Sequence, residues 1–204
     1  MALEVAGKTL AGGSISFPQA VDGTLFTQDR HSKFQQAVLA GNVYCVGDGT
    51  GGQNPSGLSA SPISVCLFNP RGSGTNAVIW YASVSSIVAP AAAQVVWLAI
   101  NNNIAAAATT GTALAPKNCL VGNPKTGVVT PLTTATLPAA PVVALVAGAF
   151  STGAVTVQMM VPVVGGWLDG SLVLAPGGSV SFQFSSISGV AGNMASWIWE
   201  EVAA

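Results

Sequence analysis

The chain has 204 residues, of which 6% are charged, and its formal net charge is −1. Globular proteins usually carry about 25% charged residues. The chain therefore lacks the clustered Lys and Arg that bind nucleic-acid phosphates, and it has little like-charge repulsion to keep copies apart. We exclude a direct nucleic-acid partner and predict a homo-oligomer or larger assembly, because subunit contacts can cover charge-poor surface.

The length fits one domain, or one domain with an arm. The N-terminus begins MALEVAGKTLAGGS and lacks the continuous apolar stretch of a signal peptide. The uncharged run Ala139–Val164 reaches the roughly 20 residues that span a bilayer, but Pro141 and Pro162 interrupt it. Apolar residues alternate from Val155 to Val161, which indicates a strand. We therefore predict no membrane partner.

The chain divides into a short N-terminal arm and one domain. Residues 1–21 have weak periodicity and are predicted to form an extended N-terminal arm, and residues 22–204 are predicted to form a β-sandwich domain. A polar segment with the only histidine opens that domain. Its simplest interpretation is a solvated loop, and the alternative is a docking segment for a neighbouring protein. The candidate partner contacts in that case are Asp29, Arg30, His31 and Lys33.

Short strands and turns follow in regular succession. Gln94–Ile100 is apolar on both faces, as in a central strand or at a subunit interface. A single helical turn is possible at Ile104–Ala108, since alanine favours helix. The other predicted strands are Phe34–Val46 with a bulge or bend at Gly41-Asn42, Pro62–Phe68, Asn76–Val88, Asn118–Val121, Ala140–Val146 and Val155–Val164; the loops include Gly47–Ser61 and a tight turn at Asn69–Gly74.

The C-terminal stretch has the clearest pattern. Apolar and polar residues alternate strictly from Gly178 to Ser185, which predicts a half-buried strand after a turn at Pro176-Gly177-Gly178. The chain ends in Ser196–Val202, whose two tryptophans should fix the last strand in a sheet. Nine or ten strands without a convincing amphipathic helix predict an all-β, antiparallel sandwich or barrel.

Catalytic and metal-binding patterns are weak. His31 and Asp29 allow a serine triad or a Cys45–His31 pair on paper, but there is no GxSxG motif and geometry decides such sites. Asp48-Gly49 resembles the start of a calcium loop without its other acidic ligands. Glu200 and Glu201 are adjacent strand residues, so they face opposite sides. We predict no enzyme activity, no cofactor and no metal site.

Cysteines and tryptophans have ordinary structural explanations. Cys45, Cys66 and Cys119 are an odd number without metal-ligand spacing, and they are predicted to be buried free thiols made in a reducing cytoplasm, with a disulfide as the alternative. The tryptophans are predicted to lie in the core or at interfaces, and the alternative is a sugar-binding surface. They are Trp80, Trp97, Trp167, Trp197 and Trp199.

Several segments resemble a family of small virion proteins of tailed bacteriophages that have a jelly-roll fold. The segments are Gly23–Leu25 with Lys33–Val43, the turn Leu67–Gly74, Asp169–Ser171 with Leu174–Gly178, and the closing Trp199–Val202. The similarity spans most of the chain from about Asp22 onward and leaves out residues 1–20. It implies a jelly-roll type of sandwich and a structural role, and it carries no catalytic residue.

The function that this resemblance implies is a capsid decoration, or cement, protein in the virion. Such a protein would form a homo-oligomer, most simply a trimer, on the shell of major capsid protein, with an N-terminal arm reaching a neighbour. A neck, tail or fibre component on the same fold is the second possibility. A carbohydrate-binding module that uses exposed tryptophans is an alternative from a different class, and a secreted hydrolase is disfavoured by the single histidine.

Overall fold

The computed structural model describes residues 6–8, 14–16, 34–48, 57–61, 63–86, 93–101, 109–150, 164–185 and 193–204. The chain forms two compact units, Met1–Gln36 and Ala37–Ala204. In the first, β1 (Ala6–Lys8) and β2 (Ser14–Ser16) pair antiparallel. The contact candidates Asp29, Arg30, His31 and Lys33, the possible turn Ile104–Ala108 and most of the predicted strand Val155–Val164 lie outside the described residues.

The second unit is built from strands. One short helix, α1 (Gln35–Leu39), leads into it. The described strands are β3 (Val43–Gly47), β4 (Ile63–Phe68), β5 (Thr75–Ser86), β6 (Gln94–Asn101), β7 (Thr110–Ala113), β8 (Lys117–Asn118), β9 (Thr130–Thr136), β10 (Val142–Phe150), β11 (Val164–Leu174), β12 (Ser179–Phe184) and β13 (Asn193–Ala203).

These strands form two antiparallel sheets, so the predicted all-β sandwich is confirmed. Their orders are β10-β6-β12-β4-β9-β7 and β11-β5-β13-β3-β8. The pairing is nested: β3 pairs with β13, β4 with β12, β5 with β11, and β6 with β10. The strands β7, β8 and β9 come between β6 and β10 in the chain and extend both sheets at their far edges.

The core lies between the two sheets and includes side chains from both. The last strand contributes Trp197 and Trp199, which are fully buried. Trp197 packs on Phe182 of β12 with ring centroids 4.9 Å apart, and Trp199 lies 6.0 Å from Tyr44 of β3. The prediction that the terminal strand is fixed in a sheet by its tryptophans is confirmed, since β13 pairs with both β3 and β5.

Two predicted turns are confirmed and are tied together by one asparagine. Gly177 has φ +92° and the Gly178 N–H donates to the Ala175 carbonyl at 3.0 Å, as a Pro-Gly turn requires. The buried Asn69 exchanges backbone hydrogen bonds with this turn, to Gly177 and Gly178. Its side-chain Nδ2 also donates to the carbonyls of Thr75 and Leu174 at 2.7 and 2.8 Å.

The predicted strand Phe34–Val46 is wrong in its first half. Gln35–Leu39 is helical, and these residues, mostly good helix formers, end at Gly41 with φ +70°. The Gly41 N–H donates to the Val38 carbonyl at 2.9 Å, and that of Asn42 to Ala37 at 3.3 Å. Gly41-Asn42 is therefore a helix C-cap and not a bulge within a strand.

The predicted half-burial of β12 is also wrong, because all six of its residues are buried. Its apolar face joins the main core, as predicted. Its polar face is covered by residues 57–61, where the Ser59 N–H donates to the Gln183 side chain at 3.3 Å. A second apolar cluster packs on this outer side of the sheet and consists of Ala60, Cys66, Phe68, Leu132, Ala135 and Leu137.

The buried face of β5 changes in mid-strand. A register shift of β13 places Ile198 opposite Tyr81 and Trp199 opposite Ile79, so β5 has one extra residue, Trp80, between these two pairs. Ile79 therefore joins the core on one side of the bulge, and Ala82 joins it on the other. The predicted strand Asn118–Val121 is reduced to β8, because a turn follows Asn118.

Two adjacent glycines at the start of β11 provide a test of the packing between β11 and β5. A Cβ at Gly165, where φ is +115°, would lie 2.2 Å from the Ala82 carbonyl oxygen, whereas one at Gly166 would have no atom within 4 Å. We expect Gly165→Ala to lower the free energy of unfolding by about 2 kcal/mol or more.

The matched control is Gly166→Ala, which we expect to change stability by less than about 0.5 kcal/mol. Urea unfolding followed by tryptophan fluorescence measures both. Equal midpoints for the two variants would contradict this account of the β11–β5 contact.

Candidate functional site: the open apolar side of the sandwich

One side of the sandwich is formed by the edge strands β10 and β11. Among the described strands, each ends its sheet and pairs with one neighbour. They contact each other, since a Cβ at Gly148 of β10 would lie 2.8 Å from Val164 Cγ1 of β11. We call the surface formed by these two strands the open side.

The β10 half of the open side is apolar. Val142, Val143, Leu145 and Val146 are all exposed, and the exposed fraction of Val146 is 68%. An edge strand normally carries charged residues that discourage pairing with other chains. The sequence has no charged residue between Lys125 and Asp169, so β10 lacks that protection and has two register irregularities instead.

The β11 half adds an aromatic pair and a strained segment. Trp167 is 59% exposed and meets Tyr81 of β5 edge-on, with ring centroids 5.3 Å apart. Asp169 and Gly170 both have positive φ, in the stretch where the ladder with β5 is interrupted. Val173, further along β11, is also exposed. The open side therefore presents large apolar groups along β10, together with Trp167 and Val173 of β11, which lie on either side of the exposed Asp169 and Ser171.

A small pocket of about 140 Å³ lies at one end of this side. It is lined by Ile100, the end of β11 and the following turn, and no lining residue is ionisable. General acid–base or nucleophilic catalysis needs a titratable group within reach of the substrate. The lining of this pocket is suited to apolar packing and not to acid–base or nucleophilic chemistry.

The opposite side of the sandwich has different chemistry. All four residues of β7 are exposed, and three of them are Thr or Gly. β8, at the corresponding edge of the other sheet, carries Lys117 and Asn118. The two sides of the molecule therefore differ, with the apolar groups concentrated on β10 and β11.

One carboxylate has a clear structural role near the C-terminus. Glu201 accepts hydrogen bonds from the backbone N–H groups of Val128 and Val129 at 2.9 Å and from Trp199 Nε1 at 3.3 Å. The Glu201 N–H also donates to the Asn42 carbonyl at 2.9 Å. Glu200 faces the other way, as predicted, and burial raises the pKa of its carboxyl group. These two carboxylates do not form a catalytic pair.

Removing the Glu201 carboxylate should free residues 127–129 from β13. We expect Glu201→Ala to lower the free energy of unfolding by about 2 kcal/mol, because donors that bonded a charged acceptor lose it. Glu200→Ala is the matched control and should change stability by less than about 0.5 kcal/mol. Hydrogen exchange at Val128 and Val129 should accelerate only in Glu201→Ala, and unchanged exchange there would contradict this role.

The structure separates the five tryptophans. Trp197 and Trp199 are in the core and Trp80 is 5% exposed, whereas Trp97 is half-buried. Trp167 alone among them is largely exposed. The interpretation as core residues is confirmed for Trp197 and Trp199. A sugar-binding surface would have to rely mainly on Trp167 beside Tyr81.

Among the described residues there is no group of three or more His, Cys, Asp or Glu side chains that could hold a metal ion. No helix in this part of the chain is long and apolar enough to cross a membrane. The open side was not among the site residues predicted from sequence. The signal for it was the uncharged run from Lys125 to Asp169, which was interpreted as strands but not as an exposed edge.

Comparison with known proteins finds no matching family, no similar curated protein and no similar solved structure.

Proposed function

We propose that the protein is a structural virion component, a capsid decoration protein that forms homotrimers and stabilises the major capsid protein shell of a tailed phage. The observation that carries the proposal is the open side: two edge strands of a sandwich that expose Val142, Val146 and Trp167 without a charge on β10. A protein that functions as a monomer would gain from charges there.

The nested strand pairing supports a jelly-roll type for the sandwich. Pairing of first with last, second with seventh, third with sixth and fourth with fifth is that of a long antiparallel hairpin rolled into two sheets. Jelly rolls occur in viral capsid proteins, and also in lectins and cupins. The fold class alone therefore does not select a function.

The resemblance of this sequence to phage virion proteins supports one choice among those functions. Two of the segments that carry it, the turn after Phe68 and the turn after Leu174, are joined by the hydrogen bonds of Asn69. A third, at the C-terminus, contains the buried Trp199 and the carboxylate of Glu201. The segments that resemble phage virion proteins therefore include contacts that hold this sandwich together. This is compatible with the same fold in those proteins and in this one.

Assembly through the open side predicts a specific response to charge. We expect Val146→Lys to dissociate the oligomer, because each copy would bring a charge into the contact, while circular dichroism and the unfolding midpoint of the subunit stay the same. Light scattering measures the mass. The control is Val121→Lys, since Val121 is 95% exposed in the turn after β8, at the edge of its sheet away from β11.

A wild-type protein that is monomeric at all accessible concentrations would contradict the assembly proposal. So would a Val146→Lys variant that keeps the mass of the wild type.

Capsid binding is tested directly by adding purified protein to empty phage shells that lack it. We expect many copies per shell and a higher melting temperature of the shell, because a ligand that binds only the assembled state stabilises that state. Deleting Met1–Gln19, which is most of the predicted arm, should leave the sandwich folded and reduce binding. Loss of folding in that deletion would contradict the separation of arm and sandwich.

Attachment confined to the tail vertex would replace the decoration role with the neck, tail or fibre role. Binding to neither shell nor tail would overturn both. Quenching of Trp167 fluorescence by a glycan, abolished in Trp167→Ala, would indicate the carbohydrate-binding alternative instead.

A further inference from the structure

Two of the three cysteines lie beside each other on neighbouring strands. β3 and β8 pair antiparallel with Cys45 opposite Lys117. The Cys119 N–H then donates to the Val43 carbonyl at 2.9 Å, which continues this pairing past the end of β8. Side chains two residues apart on a strand share a face, so Cys45 and Cys119 are diagonal neighbours on one face of the sheet.

Cys45 lies near enough to Cys119 to contribute to the raised pKa of that thiol. Both are half-buried, whereas Cys66 is fully buried in the second apolar cluster. Burial, with a further contribution from Cys45, raises the pKa of Cys119 to about 12. Burial also raises the pKa of Cys66 to about 12. Cys45 and Cys119 therefore combine proximity with partial access to solvent, and Cys66 is distant from solvent.

We propose that Cys45 and Cys119 are a reversible dithiol–disulfide pair, which is oxidised to a bond between β3 and the segment after β8 by a disulfide oxidant such as oxidised glutathione. This inference does not rest on the proposed function. The prediction of three buried free thiols is wrong for Cys45 and Cys119, which are only half-buried, and it is confirmed for Cys66.

The exchange proceeds in two balanced steps. The Cys45 thiol loses its proton and attacks one sulfur of oxidised glutathione, which forms a mixed disulfide and releases one glutathione thiolate. The Cys119 thiol then loses its proton and attacks the Cys45 sulfur, which releases the second glutathione. Two electrons pass from the two cysteine sulfurs to one oxidised glutathione, and two molecules of reduced glutathione result.

The order of these steps follows from the surroundings of Cys119. Its raised pKa keeps the thiol protonated near neutral pH, and a protonated thiol is a poor nucleophile. Cys119 is therefore the resolving cysteine. Once Cys45 is held in the mixed disulfide, its contribution to that raised pKa is removed, although the larger contribution of burial remains.

Closing the bond requires the sulfurs to come within about 2 Å. β8 has two residues and lies at the edge of its sheet, where it pairs only with β3 among the described strands. The chain after it turns back, with the Asn123 N–H donating to the Leu120 carbonyl at 2.9 Å. We expect this short edge segment to shift locally so that Cys119 approaches Cys45, and the shift would weaken the hydrogen bond of 2.9 Å from Asn118 Nδ2 to the Gly41 carbonyl.

The bond would join two segments that are distant in sequence. Reducing conditions in a cytoplasm keep such a pair open, and transfer to an oxidising medium closes it. The expected result is a subunit that is synthesised as a dithiol and gains stability after leaving the cell, because the cross-link restricts the unfolded chain.

The test uses the full wild-type protein, first reduced, then incubated at mildly alkaline pH with oxidised glutathione, and analysed by intact-mass and peptide mass spectrometry. We expect the product to be lighter by two hydrogen atoms, to carry no glutathione, and to yield one linked peptide pair containing Cys45 and Cys119. The melting temperature should rise by roughly 5–10 °C and return on reduction.

Three variants make the result specific. Cys119→Ala should accumulate a stable glutathione adduct at Cys45, and Cys45→Ala should react more slowly and form no internal link. Cys66→Ala should oxidise as the wild type does. Retention of glutathione by the wild type, a linked peptide that contains Cys66, or cross-links only between separate chains would each overturn the proposal.

Discussion

The last strand is the constraint on which the rest of the sandwich depends. β13 is hydrogen-bonded on both sides, to β5 and β3, and it contributes Trp197 and Trp199 to the core. Two fully buried indole rings on one strand fill the space between the sheets, where Phe182 and Tyr44 meet them from β12 and β3. Burial of large aromatic rings contributes much of the stability of a core. The outermost pair of the nested arrangement, β3 with β13, includes this strand.

The position of β13 at the chain end has consequences for folding. The first strand of the sandwich, β3, pairs with the last one, so this contact closes across almost the whole domain. Such a topology has high contact order and folds slowly, because non-local contacts form only after loop-closure entropy is lost. The Glu201 carboxylate adds a further long-range contact by holding residues 127–129 to the same strand.

Sequence reasoning succeeded where a single physical rule decides the structure. Alternation identified β12, the two tryptophans identified the last strand β13, and Pro and Gly identified the turns at Asn69 and Pro176. It failed where contacts with residues distant in the sequence decide the local structure. The helix Gln35–Leu39 contains residues compatible with strand or helix, and the cap at Gly41 ends it.

Burial on the second face of β12 could not be predicted, because the cover comes from residues 57–61, far away in sequence. The same limit applies to the open side. The sequence shows that β10 is uncharged, but only the pairing of all strands shows that β10 lies at the edge of its sheet. The adjacency of Cys45 and Cys119 likewise depends on the register of β3 and β8.

The geometry of the open side limits how copies of the protein can meet. Regular strand addition needs an uninterrupted row of unpaired backbone groups, and β10 has register irregularities at Ala144 and Ala147 that bend such a row. Natural edges use bulges of this kind against uncontrolled pairing. The exposed side chains of β10 are nevertheless apolar, so contact through side chains remains favourable when contact through the backbone is not.

Contact through side chains favours an assembly in which the open sides of several subunits meet at a symmetry axis. It disfavours a continuous β-sheet that runs across two subunits. On the opposite side, β7 consists of Thr, Gly and Ala and β8 carries Lys117 and Asn118, although Val121 is exposed in the turn that follows. A ring that joined unlike sides would therefore leave Val142 and Val146 mainly against polar groups. Three open sides that meet around a threefold axis would instead cover one another. A trimer, as proposed for this protein, lets like apolar surfaces meet while the polar sides stay in solvent, as a twofold dimer through the same surface also would.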